Sequence, residues 1–312
     1  MTAPTRAQVR VLKSLQNQTV VLNQMVVTAT TRQQQTGQPP PESWFRDYQP
    51  RAIAREELIN AAFAGGVPRA WIDHVPERGD RGIGWRADLY LRAPEATDWE
   101  RILGDLDADV QRQREWLALN AACNTISPAT DSAAAHDVDR NLRALHHRTN
   151  GVANLLGLTT EQGHQLWGDA CDWAHSAVEM LDDVPAEQLT QRWQQLARTD
   201  TRAYALQAHA LAAAGIPTLT AAALPSHAEL VPAIRAGLTL PQPLFRAAVT
   251  TGEDIDTAID AANLTVDGEV DVETGSAAAM FSDGPTTHAC VYEPVADIGA
   301  PQLVAPGEGY EP

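Results

Sequence analysis

The sequence predicts a mainly α-helical chain, and three observations lead to that fold class. Alanine is abundant while only 5% of the residues are aromatic, a balance that suits the close packing of helices. Apolar residues recur at every third or fourth position over most of the chain before Asn263. Turn signals rich in Gly, Pro and Asp separate these periodic segments. We therefore expect a helical, multi-domain chain.

The first predicted element is a long helix within residues 1–34. Its apolar stripe contains Val9, Leu12, Leu15, Leu22 and Val26. This stripe can pair two chains in a coiled coil or pack against the rest of its own chain. Residues 35–51 are rich in Gln and contain three consecutive prolines, so they are predicted to form a linker. The linker favours a homodimer through the N-terminal helix.

Charge is unevenly distributed along this chain, whose net charge is -17. Residues 1–92 carry 12 basic and 8 acidic residues, residues 93–246 carry 11 and 19, and residues 247–312 carry none and 13. Such asymmetry is typical of a nucleic-acid contact at one end and an acidic tail at the other. The alternative is a folded acidic protein with one less acidic end.

One short segment, AREELINAAFAGGVPRAWIDHV, carries the sharpest functional signal. A small residue is followed four positions later by a glycine, and hydrophobic residues come one, six and nine positions after that glycine: Ala62, Gly66, Val67, Ile72 and Val75. The spacing resembles the helix-turn-helix of bacterial and phage DNA-binding proteins. Two helices cross closely over a small residue, and the turn favours a residue that tolerates positive φ. An ordinary helical hairpin gives the same pattern.

The resemblance implies that residues 68–76 form a recognition helix within a basic unit, residues 52–92. Its outward positions would be Arg69, Ala70, Asp73 and His74, with Arg69 as the first candidate for a DNA contact. Residues 83–91 alternate as a strand does, so a β-wing is expected after the helix. The candidate DNA-binding residues are Arg69, His74, Arg78, Arg81 and Arg86.

The remainder of the chain is predicted to form an acidic helical domain, residues 93–263, and an acidic, partly disordered tail, residues 264–312. Helices are expected at about 94–123, 134–156, 160–182, 186–198 and 200–214, with two more before Asn263. The tail is rich in Gly and Pro and is expected to contain one or two short strands.

No catalytic motif, metal-ligand set or phosphate loop is recognisable, so no catalytic residue, metal or cofactor is predicted. Cys171 and His175 share a predicted helical face, but a transition-metal site needs further ligands. The sequence shows no membrane span and no signal peptide, and a cytoplasmic location is expected. The leading hypothesis is a DNA-binding regulator or accessory protein of a mobile element. One alternative is a non-catalytic helical interaction or structural protein, such as a phage or plasmid assembly component. An enzyme is a third reading, which would need a polar pocket among residues 100–260.

Overall fold

A computed structural model describes residues 3–86, 89–92, 97–126, 132–181 and 184–239 of the chain. Within them ten helices follow one another: α1 Arg6–Thr36, α2 Glu42–Ala64, α3 Arg69–Asp80, α4 Trp99–Ile126, α5 Ser132–Leu156, α6 Thr160–Trp167, α7 Ala170–Leu181, α8 Ala186–Ala197, α9 Arg202–Ala213 and α10 His227–Thr239. The mainly α fold class is confirmed. The expected tail lies outside the described residues.

The long N-terminal helix packs inside its own chain over its first half. Helix α1 begins at a capping box formed by Thr5 and Gln8 and ends at Gly37, which adopts a φ of 69°. The predicted stripe residues Leu12, Leu15 and Leu22 are buried, chiefly against α3. Most of the stripe that the sequence assigns to a second chain is therefore part of the intramolecular core.

Helices α1 and α3 approach each other closely at Gly79. A Cβ atom at this position would lie 2.7 Å from the Cβ atom of Thr19. Thr19 is itself buried and donates its hydroxyl to the Leu15 carbonyl at 2.9 Å. The small residue that permits close packing on α3 thus faces α1, and α3 packs more extensively against α1 than against α2.

The segment between α1 and α2 is shorter than the predicted linker. Helix α2 begins at Glu42 with Pro41 as its N-cap, so residues 42–51 are helical. The three prolines exclude helix only over their own positions, because a proline at a helix start loses no intrahelical hydrogen bond. The same helix accommodates Pro50 in its interior. Residues 37–41 are the actual connection.

The expected β-wing is not formed, since residues 81–86 and 89–92 contain no strand. Two side chains bind the backbone carbonyls of this segment instead. The Gln16 amide donates to the Ile83 carbonyl at 2.7 Å, and the Trp71 indole donates to the Arg92 carbonyl at 2.6 Å. A strand needs a neighbour to pair its backbone, and in this segment side chains from α1 and α3 take that place.

Helices α4 and α5 pack against each other and are surrounded by α7, α8, α9 and α10. Helix α2 joins this group by packing against α9 and α5, and buried residues from all these helices form one hydrophobic cluster. The described residues belong to one compact unit. The predicted boundary between a basic unit ending at residue 92 and an acidic domain is therefore not a break in packing. No helix of the described part is both long and apolar enough to cross a bilayer.

Candidate interaction surfaces

The turn between α2 and α3 has the local features of the helix-turn-helix resemblance. Gly66 adopts a φ of 70°, a backbone conformation that favours glycine. Val67, Ile72 and Val75 are all buried, as the three hydrophobic positions of the pattern require. The sequence thus predicts the turn and the inward side of α3 correctly.

The outward face of α3 carries more acidic side chains than suits a helix that binds DNA. Asp73, Glu77 and Asp80 recur at spacings of four and three along this face, and all three are exposed. Arg69 is exposed too, but its Nε lies 2.9 Å from a carboxylate oxygen of Asp73 one turn later. The carboxylates would face the phosphates of a duplex docked here, which raises the electrostatic cost of binding.

The five predicted contact residues do not share one environment. Arg69, Arg81 and Arg86 are exposed, whereas His74 and Arg78 are half-buried at the edges of the α3 face. The five side chains therefore do not form one fully exposed basic stripe.

A cleft of about 480 Å³ separates the start of α3 from the start of α4. Two arginines line it, Arg69 from α3 and Arg101 from α4. The Arg101 guanidinium lies 4.4 Å above the centre of the Phe63 ring and pairs with Asp105 at 2.9 Å. Because each arginine already has a carboxylate partner, the cleft has little net charge to offer an anion.

A second surface is formed by the far half of α1 and the near half of α2. We call residues 23–53, the end of α1, the turn and the start of α2, the projecting hairpin. None of residues 23–57 is buried, although both helices are continuous there. The two helices contact each other, and this part of them adds nothing to the hydrophobic cluster of the body.

An aromatic group holds the two helices of the projecting hairpin together. The Trp44 indole donates to the Met25 carbonyl at 3.2 Å, so α2 is fixed to α1 across the hairpin. Trp44 also stacks on Tyr48, with ring centroids 4.7 Å apart, and meets Phe45 edge-on at 5.0 Å. Such aromatic pairs add to the stability of a short helical hairpin.

Apolar side chains remain exposed on this hairpin. Val26 continues the stripe of Leu15 and Leu22 beyond the core and is 39% exposed, while Val27 and Phe45 are 54% and 53% exposed. Residues 14–31 of α1 carry no charged side chain. Residues 23–31 of this run belong to the projecting hairpin, and an uncharged stretch of exposed helix is unusual in an acidic protein. That uncharged run is the sequence signal that could have identified this surface, and the DNA-binding hypothesis does not use it.

The environments of the buried titratable groups indicate structural roles for them. Cys123 is buried, its thiol approaches the Leu189 carbonyl at 3.6 Å, and burial raises the pKa of this thiol, which disfavours the nucleophilic thiolate. Burial, with smaller contributions from His227 and His147, lowers the pKa of His146 to about 3. No group of three or more potential metal ligands occurs within the described ranges.

Comparison with protein-family models, curated proteins and solved structures found no match to this chain. Function must therefore be argued from the surfaces themselves. Two of them bear on it, the outward face of α3 and the projecting hairpin.

Proposed function

We propose that the protein is a non-catalytic helical structural protein that self-associates through the projecting hairpin. The observation that carries this proposal is the run of residues 23–57, two continuous helices without a single buried side chain. Isolated helices are only marginally stable in water, and most helical stability in proteins comes from packing. A second copy of the hairpin would supply the missing packing by forming a four-helix bundle.

The exposed apolar residues give this association its free energy. Fully burying a valine or phenylalanine side chain contributes about 1.5–3 kcal/mol, and half-exposed residues contribute part of that. Val26, Val27 and Phe45 would be buried twice in a symmetric dimer, once from each copy. A two-fold interface brings the same patch of both chains together, so a charged patch would repel itself. The uncharged run of α1 avoids that repulsion.

Electrostatics also favours contact at the hairpin rather than at the body of the protein. Two chains of net charge -17 repel each other. Because residues 14–31 carry no charged side chain, a contact centred on Val26 and Val27 brings fewer like charges face to face than a contact between the acidic bodies would.

The double substitution Val26→Asp, Val27→Asp is expected to convert the wild-type dimer into a monomer. Four new carboxylates would face one another across the two-fold axis, and burying them would cost more than the interface gains. Sedimentation equilibrium at several protein concentrations measures the change. The matched control is Leu219→Asp, which places a carboxylate at a 71% exposed leucine away from the hairpin and should leave the dimer intact.

Circular dichroism separates loss of association from loss of folding, since both valines are exposed in the monomer. A wild-type protein that stays monomeric at high micromolar concentration would refute the proposal. So would a double variant that dimerises as well as the wild type.

DNA binding by α3, as a regulator or accessory protein of a mobile element, is the second candidate function. It is favoured by the turn at Gly66, by the buried positions of α3 and by the exposed Arg69 and Arg81. The outward carboxylates Asp73 and Glu77 oppose it, which is why we place it second. A self-associating hairpin would help this function as well, because a dimer can contact two half-sites about one helical turn apart.

Arg69→Ala, Arg81→Ala tests the second candidate. If α3 contacts DNA, wild-type protein should bind mixed genomic fragments at low salt, and the variant should lose most of that affinity because it loses two phosphate contacts. Electrophoretic mobility shifts at 50 and 200 mM salt measure the affinity of wild type and variant and its dependence on salt. The control Arg192→Ala removes an exposed arginine of α8 and should not matter. Absence of binding at low salt excludes this candidate and leaves the first.

A further inference from the structure

A second cleft, of about 610 Å³, lies between α5 and the junction of α8 with α9. Helix α5 contributes Asp137, Arg140 and Ala144, and the junction contributes residues 197–202 together with Ala205. We call this cleft the arginine pocket, because Arg140, Arg198 and Arg202 all line it. It is separate from the projecting hairpin and from the outward face of α3.

The wall of the arginine pocket is fixed from below by a buried amide. Asn141 of α5 is fully buried, and its Nδ2 donates to the Leu196 carbonyl at 2.8 Å and to the Thr199 carbonyl at 3.0 Å. Its Oδ1 accepts the Thr201 hydroxyl at 2.7 Å. The backbone that carries Arg198 and Arg202 is thereby held in one conformation, so a ligand bound here pays little to order the loop.

The arginines of the pocket are only partly neutralised. Arg140 pairs with Asp137 at 2.7 Å. Asp200 is engaged differently, since its Oδ1 accepts the backbone N–H of Arg202 at 2.9 Å and so supports the start of α9. Arg198 and Arg202 form no ion pair with any residue that the structure describes. Two unpaired guanidinium groups therefore border one concave site of a strongly acidic protein.

The shape of the pocket suits a ligand that has an anionic group and an uncharged part. Three of its lining residues, Ala144, Ala197 and Ala205, have small side chains that leave room between the arginines. Its volume falls within the range of about 300–1,000 Å³ that is typical of small-molecule sites. A guanidinium group offers two parallel N–H donors that match two oxygens of a phosphate, and its charge does not titrate at neutral pH.

We propose that the arginine pocket binds a phosphorylated small molecule of about nucleotide size, with Arg198 and Arg202 as the phosphate ligands. Arg140 lies on the opposite wall and contacts the phosphate or the body of the ligand. The proposal is independent of self-association and of DNA binding, because it uses other residues. It adds a ligand to a protein whose sequence shows no phosphate-binding loop.

Isothermal titration of the full chain with AMP, inorganic pyrophosphate and succinate tests the pocket, with ionic strength held constant by sodium chloride. AMP or pyrophosphate should bind with a single site per chain, and Arg198→Ala, Arg202→Ala should weaken that binding by about tenfold or more. Both arginines are exposed, so the variant is expected to keep the thermal melting curve of the unliganded wild type. The matched control Arg192→Ala, outside the pocket on α8, should bind as the wild type does.

Any of three results would overturn the proposal. The first is that neither AMP nor pyrophosphate binds the wild type. The second is that the double variant binds them as tightly as the wild type does, and the third is that succinate binds as tightly as AMP, which would make the site a general anion surface. Because the hairpin variant Val26→Asp, Val27→Asp leaves the pocket intact, it should bind AMP normally whatever its oligomeric state.

Discussion

Asp109→Ala is expected to lower the free energy of unfolding by about 3–5 kcal/mol, because removing one partner of a buried ion pair leaves the other charge uncompensated. Asp109 is 5% exposed and lies on α4. One carboxylate oxygen accepts from Arg112 at 2.9 Å, and the other pairs with Arg148 of α5, whose side chain is only 12% exposed. Urea unfolding followed by circular dichroism at pH 7 measures the loss.

The consequences extend beyond one pair, since the same two arginines reach other helices. Arg112 donates to the Tyr204 hydroxyl of α9 at 2.8 Å, and Arg148 donates from Nε to the Gln207 amide oxygen at 3.2 Å. Gln207 in turn donates to Glu57 of α2 at 3.1 Å. The network therefore ties α2, α4, α5 and α9 together, and we expect its loss to reduce the cooperativity of unfolding as well as the midpoint.

Asp73→Ala is the matched control for this prediction. Asp73 also pairs with an arginine at 2.9 Å, but this pair with Arg69 lies on the exposed face of α3. Exposed pairs of this spacing contribute about 0.3–0.5 kcal/mol, so the control should lower the free energy of unfolding by no more than that. If Asp109→Ala lowers the free energy of unfolding no more than Asp73→Ala does, the buried network contributes no more than an exposed ion pair.

Apolar periodicity, together with turn signals, predicts several helices of the body. The segments expected near 134–156, 186–198 and 200–214 are α5, α8 and α9, with ends that agree within two or three residues. The expected helix at 160–182 is instead two helices, α6 and α7, separated by Gly168 with a φ of 74°. The sequence places a glycine there, but a glycine inside a periodic pattern does not by itself distinguish a break from a tolerated substitution.

Periodicity could not predict which partner each helix packs against. The stripe of α1 has the same pattern whether it meets a second chain or α3, and only the packing of Gly79 against Thr19 decides between them. The helix-turn-helix resemblance likewise depends on inward residues such as Ile72 and Val75, which any helical hairpin buries. A DNA-binding helix and an ordinary helical hairpin differ in their outward faces, and on the outward face of α3 Asp73 forms an ion pair with Arg69. The sequence shows that Asp73 occupies an outward position, where it would repel phosphates, but it does not show that Asp73 is paired with Arg69.

The arginine pocket could not be predicted from the sequence at all. Arg140 and Arg202 are 62 residues apart, and they line one cleft because α5 packs against α8 and α9 and Asn141 binds the loop between them. A buried asparagine in an amphipathic helix is the one local sign, since a buried polar group needs partners from elsewhere in the chain.

A second buried polar cluster makes the fold sensitive to acid. His146 of α5 lies in the core between two amides, with Nδ1 2.8 Å from Gln113 Nε2 and Nε2 3.0 Å from Asn150 Nδ2. The ring of His227, at the start of α10, is centred 3.9 Å from that of His146. A neutral imidazole has one donor and one acceptor, whereas the protonated ring needs two acceptors. The Asn150 amide donates to the Leu219 carbonyl at 3.0 Å, which keeps its N–H groups turned toward this cluster.

Protonation is therefore disfavoured in the folded protein. Burial is the largest cause of the low pKa of His146, about 3, and the neighbouring His227 and His147 lower it further. Burial also lowers the pKa of His227, with His147 as a second cause. In the unfolded chain each histidine takes up a proton near pH 6.5. Between those values the unfolded state binds more protons than the folded state, so the free energy of unfolding must fall as the pH falls.

We expect the wild type to lose stability as the pH is lowered from 7 to 5, with His146 contributing at a limiting rate of about 1.4 kcal/mol per pH unit below pH 6.5 and His227 adding to the decrease. His146→Gln keeps an amide partner for the cluster but cannot titrate. It should be less stable than the wild type at pH 7 and show a shallower decrease toward pH 5, as measured by urea unfolding at half-unit intervals. The matched control His209→Gln, at an exposed position of α9, should retain the wild-type slope. If His146→Gln retains it as well, the acid sensitivity arises elsewhere and the buried histidines are not its cause. A shallower slope in His146→Gln alone would instead connect acid unfolding to the contact between α5 and α10, because the two imidazole rings meet there.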